Sequence, residues 1–538
     1  MNILNSLKLN WKAGITVSLI SMPLSIALAV ASNATPSIGI VTAIWAGLFA
    51  ALFGGSNFNV VGPTGALSGI IASYVIVHGV GSLPVITVLT GVIILISYLF
   101  KFERFLILIP ASVIHGFTLG VAFIIGLGQF NSAFGITSLP THESFIKNLI
   151  ESLSHVNQIS ISTTFVFIAF LVGLLLFKKF LPKLPGVIVL APLGILLGYL
   201  TSIGKIPFDV QTLGDKFGTI QFHLFQLPSL SFSFDMLRIA GVIALIAILE
   251  TLLSAKIADA MTKTKFNERK EMLGLSLANI ASGLAGGMPA TAALARTSLN
   301  IKSGATSRVS GVINVAGILL ISLLFIGYFR FIPMAVIASI LVYVAIQMVE
   351  KEHFSKLYRY QKDGFIVSLL VAFLVIVEDP IIGILFGVAM SLLICVNRIS
   401  KGLYEMRENV LVDDTNSKEI KENPGILLYS FKGRVIYINA KAHLSRFEEN
   451  LTKYKIIILR FREVYYLDLD GIEAIDEIIN ICKSRGQKVI LTSISTELSK
   501  ILEESSFHYK NLKAENLIFP NTEKVLTFLQ VPLTDYEK

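Results

Sequence analysis

From Ala13 to Phe100 the chain carries no Asp, Glu, Lys or Arg. A bilayer core is about 30 Å thick and takes about 20 apolar residues per helical crossing, so this stretch alone must hold several spans. Further apolar runs predict a first set at 13–31, 37–55, 57–76, 83–100, 105–128, 160–178 and 184–202. A second set follows at 234–257, 271–286, 288–303, 306–326, 331–349, 364–378 and 381–397. The charges divide where the spans end. Residues 1–401 hold 26 Lys and Arg against 15 Asp and Glu, whereas residues 402–538 hold 19 against 21. Only the second part has the charge density of a soluble domain. A hydrophobic fraction of 54% with two cysteines excludes disorder, a collagen-like repeat and a small disulfide scaffold.

The basic residues of the first part are scattered among short loops, so they report topology, and no nucleic-acid partner is expected. A cytoplasmic N-terminus places Lys101, Arg104, the lysines of 178–183 and 263–270, Lys302, Arg308 and the basic residues of 351–362 inside, as the positive-inside rule requires. Arg330 is the exception. Lys8 and Lys12 precede continuous apolar sequence, which reads as a first span and not as a cleaved leader. The expected location is the cell membrane, multi-pass in the lipid bilayer, with the charged C-terminal part in the cytoplasm. The thiols Cys395 and Cys482 sit at no metal or redox spacing, and none of the eight histidines pairs with another at ligand spacing. His78 and His115 read as packing or interfacial residues.

Two spans are broken at matching places. The third contains Gly62-Pro63-Thr64-Gly65-Ala66-Leu67 and the tenth Gly286-Gly287-Met288-Pro289-Ala290-Thr291-Ala292. Proline suits a first helical turn because its missing N–H would be unpaired there anyway. Half-helices are therefore expected to start in mid-membrane at Pro63 and Pro289. Each lies third in its set of seven, and an odd number of spans makes the two sets inverted repeats. The two N-termini, each carrying unpaired N–H groups and about half a positive charge, would then face each other as an anion site. The alternative is that glycine and proline only kink packed helices.

Glu250 interrupts an apolar run of the eighth span. An ionisable group at that depth costs on the order of 2.5–3.5 kcal/mol, so a functional role is the default, with a salt bridge to Arg296 as the structural alternative. Counted from Pro289 at 1.5 Å per residue, Arg296 falls about 10 Å along the half-helix, too far to touch an anion at its start. It would tune the field or anchor the helix. Asp259 reads as a solvated helix end.

Several stretches resemble the SulP (sulfate permease) family of anion transporters. They are Met22 through Ala29, Gly62-Pro63-Thr64, Glu250 through Ser254, Asn279 through Gly287, Pro289 through Asn300 and Ser303-Gly304-Ala305. The resemblance implies an α-helical polytopic membrane protein of 14 spans, a 7+7 inverted repeat over about 13–202 and 234–397. Its core and gate domains would move by alternating access, usually in a homodimer. It places a small inorganic or carboxylate anion between the first, third, eighth and tenth spans, at Pro23, Ser25, Gly62, Pro63, Thr64, Gly65, Pro289, Ala290, Thr291 and Ala292. It places a coupling ion at Glu250 and Ser254, either Na+ or H+, with no other cofactor. Family bicarbonate carriers that use sodium have Asp at the Glu250 position, which leaves proton coupling open. Leu24 and Leu28 are apolar where many members are polar and aromatic, as in the bacterial branch that handles bicarbonate and C4-dicarboxylates.

After residue 401 the pattern changes. A linker is expected over 402–424, and short β-rich runs at 426–431, 435–439, 456–461 and 488–492 alternate with a helix marked by Ile472, Ile475, Ile478, Ile479 and Cys482. This α/β pattern over 425–538 resembles the STAS domain of SulP proteins, shared with anti-sigma-factor antagonists. Those antagonists carry a phosphorylated serine where this chain has Asp470, so Asp468 and Asp470 read as helix caps, and a cytosolic protein or nucleotide partner is the alternative. The reading that results is a secondary active anion transporter of sulfate or bicarbonate. The alternatives are a C4-dicarboxylate or nucleobase symporter, or an anion-binding sensor or motor that barely transports. No catalytic grouping points to an enzyme.

Overall fold

A computed structural model describes residues 3–102, 109–137, 139–140, 142, 144–181, 185–218, 220, 223–225, 233–378, 380–408, 425–451 and 454–529. The chain forms two compact units, Met1–Met390 and Ser391–Lys538.

The first set of apolar runs gives α1 (Ile3–Ala31), α2 (Pro36–Phe53), a two-residue strand β1 (Val61–Gly62), α3 (Gly65–His78), α4 (Leu83–Leu99), α5 (Ala111–Leu127), α6 (Ile161–Phe180) and α7 (Gly186–Ser202). The second gives α8 (Phe234–Thr262), α9 (Glu268–Leu284), strand β2 (Thr291–Ala292), α10 (Leu294–Lys302), α11 (Val309–Phe329), α12 (Met334–Met348), α13 (Lys362–Val377) and α14 (Pro380–Ser400). Each of the fourteen expected runs thus carries one helix. Nine helical stretches among the described residues are long and apolar enough to cross a membrane. The short helices Phe130–Phe134, Phe145–Ser154, Leu213–Phe217 and Lys351–Tyr360 lie between them and were not expected. Their polar sequences carry no span-length apolar signal.

The third and tenth helices depart most from expectation. They begin at Gly65 and Leu294, not at Pro63 and Pro289. The residues before each run extended and pair across the molecule as an antiparallel ribbon, Val61 with Ala292 and Gly62 with Thr291. Pairing satisfies backbone groups that a break in mid-membrane would otherwise leave bare, and the paired residues are buried in protein, where non-helical backbone is tolerated. The ribbon rests in a scaffold of close helix contacts made by small residues. A Cβ on Gly91 of α4 would come within 2.6 Å of Ile280 of α9, and one on Gly283 within 2.6 Å of the Pro84 carbonyl.

The second unit is an α/β layer. Strands β3 (Leu403–Glu408), β4 (Ile426–Val435), β5 (Ile456–Leu467), β6 (Lys488–Thr492) and β7 (Ile518–Phe519) lie side by side in that order. All neighbours are parallel except β3 with β4. Helices α15 (Tyr437–Asn450), α16 (Leu469–Ser484), α17 (Thr496–Ser505), α18 (Phe507–Ala514) and α19 (Thr522–Phe528) complete it. Two expectations are corrected. Residues 403–408 of the expected linker form β3, while 409–424 lie outside the described residues. The run 435–439 closes β4 and then opens α15, because Asn439 caps that helix through the Ile436 N–H (2.9 Å). Asp468 is a cap, as expected: its carboxylate accepts from Gly471 N (2.8 Å) and reaches across to Tyr437 N (2.9 Å). His443 is fully buried with Nδ1 2.8 Å from the Tyr429 hydroxyl. Burial, aided by the Arg446 charge, pushes its pKa down to about 4.

Candidate functional site

The ribbon of β1 and β2 brings the starts of α3 and α10 together, and α8 runs alongside. Glu250 on α8 is half-buried, and its carboxylate accepts a hydrogen bond from the Thr64 hydroxyl at 3.1 Å. Thr64 is the residue before α3 and makes no cap to that helix. Among the described residues no side chain accepts from the N–H groups of Gly65, Ala66 and Leu67 in the first turn, and Glu250 is tied to the same helix start.

Moving the start of the tenth helix to Leu294 changes the role of Arg296. It now sits in the first turn of α10, only two residues beyond the first helical position. Its side chain is 1% exposed, and one guanidinium nitrogen donates to the Pro63 carbonyl in the opposite broken span. Gly62 is what admits it, since a Cβ there would stand 2.7 Å from Arg296 Nη1. The direct salt bridge between Glu250 and Arg296 is not formed. The two act on each other through space, and Arg296 Nε has no hydrogen-bond partner among the described residues. The count of about 10 Å from Pro289 does not apply, because the helix begins at Leu294 and its first turn carries Arg296 to the Pro63 carbonyl.

The residues ahead of α10 are held by side chains. The Asn279 amide receives Ala290 N at 2.9 Å and donates to the Ala290 carbonyl at 3.0 Å, imitating a paired strand. Thr251 accepts from Ala292 N (3.1 Å) and sits 2.9 Å from the Thr291 hydroxyl, which also lies 3.2 Å from the Ala247 carbonyl. Thr42 accepts from Met288 N (2.8 Å), and Val60 from Ala293 N (3.2 Å). The N–H groups of Ala290 and Ala292 are therefore engaged. The unpaired donors of the tenth span begin at Leu294, five residues beyond Pro289. Pro23 and Ser25 lie on α1; the Ser25 hydroxyl is buried without a hydrogen-bond partner among the described residues.

Glu250 and Ser254 are not brought onto a shared partner. The Ser254 hydroxyl lies 3.0 Å from Asn59 Oδ1 and 3.1 Å from Thr297 Oγ1. Asn59 in turn donates to the Glu271 carboxylate at 2.6 Å, whose other oxygen takes Gly55 N and Ser56 N at 2.7 Å each. Ser254 thus belongs to a polar network under the loop that follows α2, and it does not offer a free oxygen beside Glu250. Asn59, Thr251, Glu271 and Asn279 were missed as supporting residues. A polar or acidic side chain inside a predicted span was the available signal for each. Asp259, as expected, serves a helix end, receiving Phe266 N at 2.7 Å.

Comparison with known proteins gives the family and the fold. The model of the sulfate permease family matches residues 7–371, and that of the STAS domain matches residues 417–525. A Bacillus subtilis protein named "Putative sulfate transporter YvdB" is 32% identical over 505 residues, covering 93% of each chain. The bicarbonate transporter BicA of Picosynechococcus sp. is 25% identical over 521 residues, covering 91% of this chain and 89% of its own. Among solved structures, the murine anion transporter Slc26a9 in its inward-facing state shares the fold with a TM-score of 0.80 at 15% identity, over 98% of this chain and 92% of its own. The membrane domain of a cyanobacterial BicA gives 0.61 at 23% identity, over 73% and 98%.

Proposed function

The chain belongs to the sulfate permease family, and from that premise we propose that it is a secondary active anion transporter that carries sulfate and couples the movement to protons. Anion transport itself is the activity that its relatives share, sulfate in the name of one and bicarbonate in that of another. The observation that carries the reading is the juxtaposition of two uncapped helix starts, α3 and α10, with Arg296 between them. Unpaired N–H groups, two helix dipoles and a buried cation create a positive field in mid-membrane, the chemistry of an anion site.

Proton coupling is favoured over sodium by the hydrogen bonds of Glu250. Its carboxylate accepts from the Thr64 hydroxyl at the threshold of the proposed anion site, whereas Ser254 is committed to Asn59 and Thr297. A sodium ion needs several oxygens converging on it, and these two side chains do not converge. A proton needs only the carboxylate. With Glu250 protonated, the field at the helix starts is more positive and the anion is held; loss of the proton on the other side weakens it. Bicarbonate remains the second substrate, on the strength of the BicA relatives. A homodimer, and a cytoplasmic location for the second unit, complete the proposal.

The test is uptake of labelled sulfate and bicarbonate into proteoliposomes under an imposed proton or sodium gradient. Sulfate should accumulate under an inward proton gradient, and Glu250→Gln should abolish accumulation while the protein remains folded and monodisperse. Full accumulation in that variant would remove the coupling role. Binding without accumulation in the native protein would point to an anion sensor.

A further inference from the structure

His115 meets two side chains more than 230 positions further along the chain, away from the proposed anion site. His115 on α5, Glu350 just past α12 and His353 on the helix Lys351–Tyr360 each offer one ligand atom, all within 4.8 Å of one another. The His115 and His353 rings lie 3.5 Å apart between centroids, and His115 Nδ1 is 3.2 Å from a Glu350 oxygen. His353 Nε2 is shielded from solvent and has no hydrogen-bond partner among the described residues. Two imidazoles tilted by 30° pack beside a carboxylate, and the shielded ring nitrogen of His353 is left unsatisfied by this packing alone.

We infer that His115, Glu350 and His353 form a binding site for a divalent first-row transition metal ion, with zinc the natural occupant. Two imidazole nitrogens and one carboxylate oxygen are the donor set of a three-ligand zinc centre, whose fourth position holds water. The same set discriminates against calcium and magnesium, which demand oxygen ligands. Bonds of about 2.0–2.1 Å in a tetrahedron set ligand atoms about 3.3 Å apart. The His115–Glu350 pair already meets that spacing, and closure asks only a small side-chain rotation of the half-buried His353. A cavity of about 530 Å³, lined by Glu350, His353, Gln347, Lys178 and Lys356, opens beside the cluster. It gives the ion a path and the fourth position its water. The lysines there are a countervailing charge, so the carboxylate is the ligand whose loss matters most after the imidazoles. The site ties α5 to the chain leaving α12, and Met348 at the end of α12 would meet a Cβ placed on Gly65 at 3.1 Å. The cluster is therefore one short step along the chain from the start of α3.

The experiment uses the full-length protein with a purification tag free of histidine, in detergent, titrated calorimetrically with ZnCl2 and separately with MgCl2. One zinc per chain and no magnesium are expected. His353→Ala, His115→Ala and Glu350→Gln should each raise the zinc Kd at least about tenfold. His353→Cys, which keeps a zinc ligand, should retain binding and separates lost ligation from lost folding. Zinc binding unchanged in His115→Ala and His353→Ala, or native protein that binds no zinc, would overturn the proposal. So would magnesium binding with equal affinity.

Discussion

The two broken spans share a backbone shape and differ in how they are held. In the third, extended chain gives way to helix within three residues of Gly62, and glycine provides the room: a Cβ at Gly62 would strike Arg296, and one at Gly65 would stand 2.8 Å from Ile125 Cδ1. In the tenth, extended chain persists to Ala293, and neighbouring side chains act as the missing strand, chiefly Asn279 and Thr251. Both spans borrow hydrogen bonds from side chains, the third from Arg296, Thr297 and Asn300, but only the third needs glycine to make the room. Inverted repeats therefore fix where the chain must break, while each break is stabilised by its own local chemistry.

That difference can be broken by substitution. Asn279→Ala removes both partners of Ala290 and leaves a buried N–H and carbonyl unpaired, a loss of about 2–4 kcal/mol. Denaturation of the variant in detergent should show it. A loss below about 1 kcal/mol would mean that the tenth span does not depend on borrowed hydrogen bonds. Gly62→Ala acts on the third span by displacing the Arg296 guanidinium from Pro63. Overpacking of this kind costs about 1–3 kcal/mol of stability, and anion uptake should fall with the loss of the Arg296 position. Unaltered uptake would show that Arg296 has no need of that slot.

The smallest effects come from a matched pair. Thr64→Val deletes the hydrogen bond to Glu250 and should lower uptake about three- to tenfold with little change in unfolding. Thr291→Val deletes a structural hydroxyl contact and should cost about 1 kcal/mol in unfolding with uptake nearly unchanged. If the two variants exchange these outcomes, it is the Thr291 hydroxyl and not that of Thr64 that acts on Glu250 during transport.

Much of this was legible in the sequence. The apolar runs each carry one helix because their lengths answer to the bilayer, a constraint that acts residue by residue. The glycines and prolines of 62–65 and 286–289 marked the breaks, and the acid at 250 marked a carboxylate that the fold sets against Thr64 at the start of α3. Where the helices resume was not legible. A proline permits a helix start without compelling it, and the strand pairing of Val61 with Ala292 costs the tenth span five further residues of extended chain.

What the sequence by itself determined is local: the number and place of the apolar helices, the two interruptions, the α/β alternation after residue 401, and the cap at Asp468. What only the tertiary structure decided is every relation across long separations. Arg296 reaches Pro63, Asn279 stands in for a strand, and His115 meets His353 although no spacing along the chain pairs them. Periodicity and chain breaks are written in neighbouring residues, whereas the partner of a buried polar group is chosen by whichever donor or acceptor the packed fold leaves within 3 Å of it.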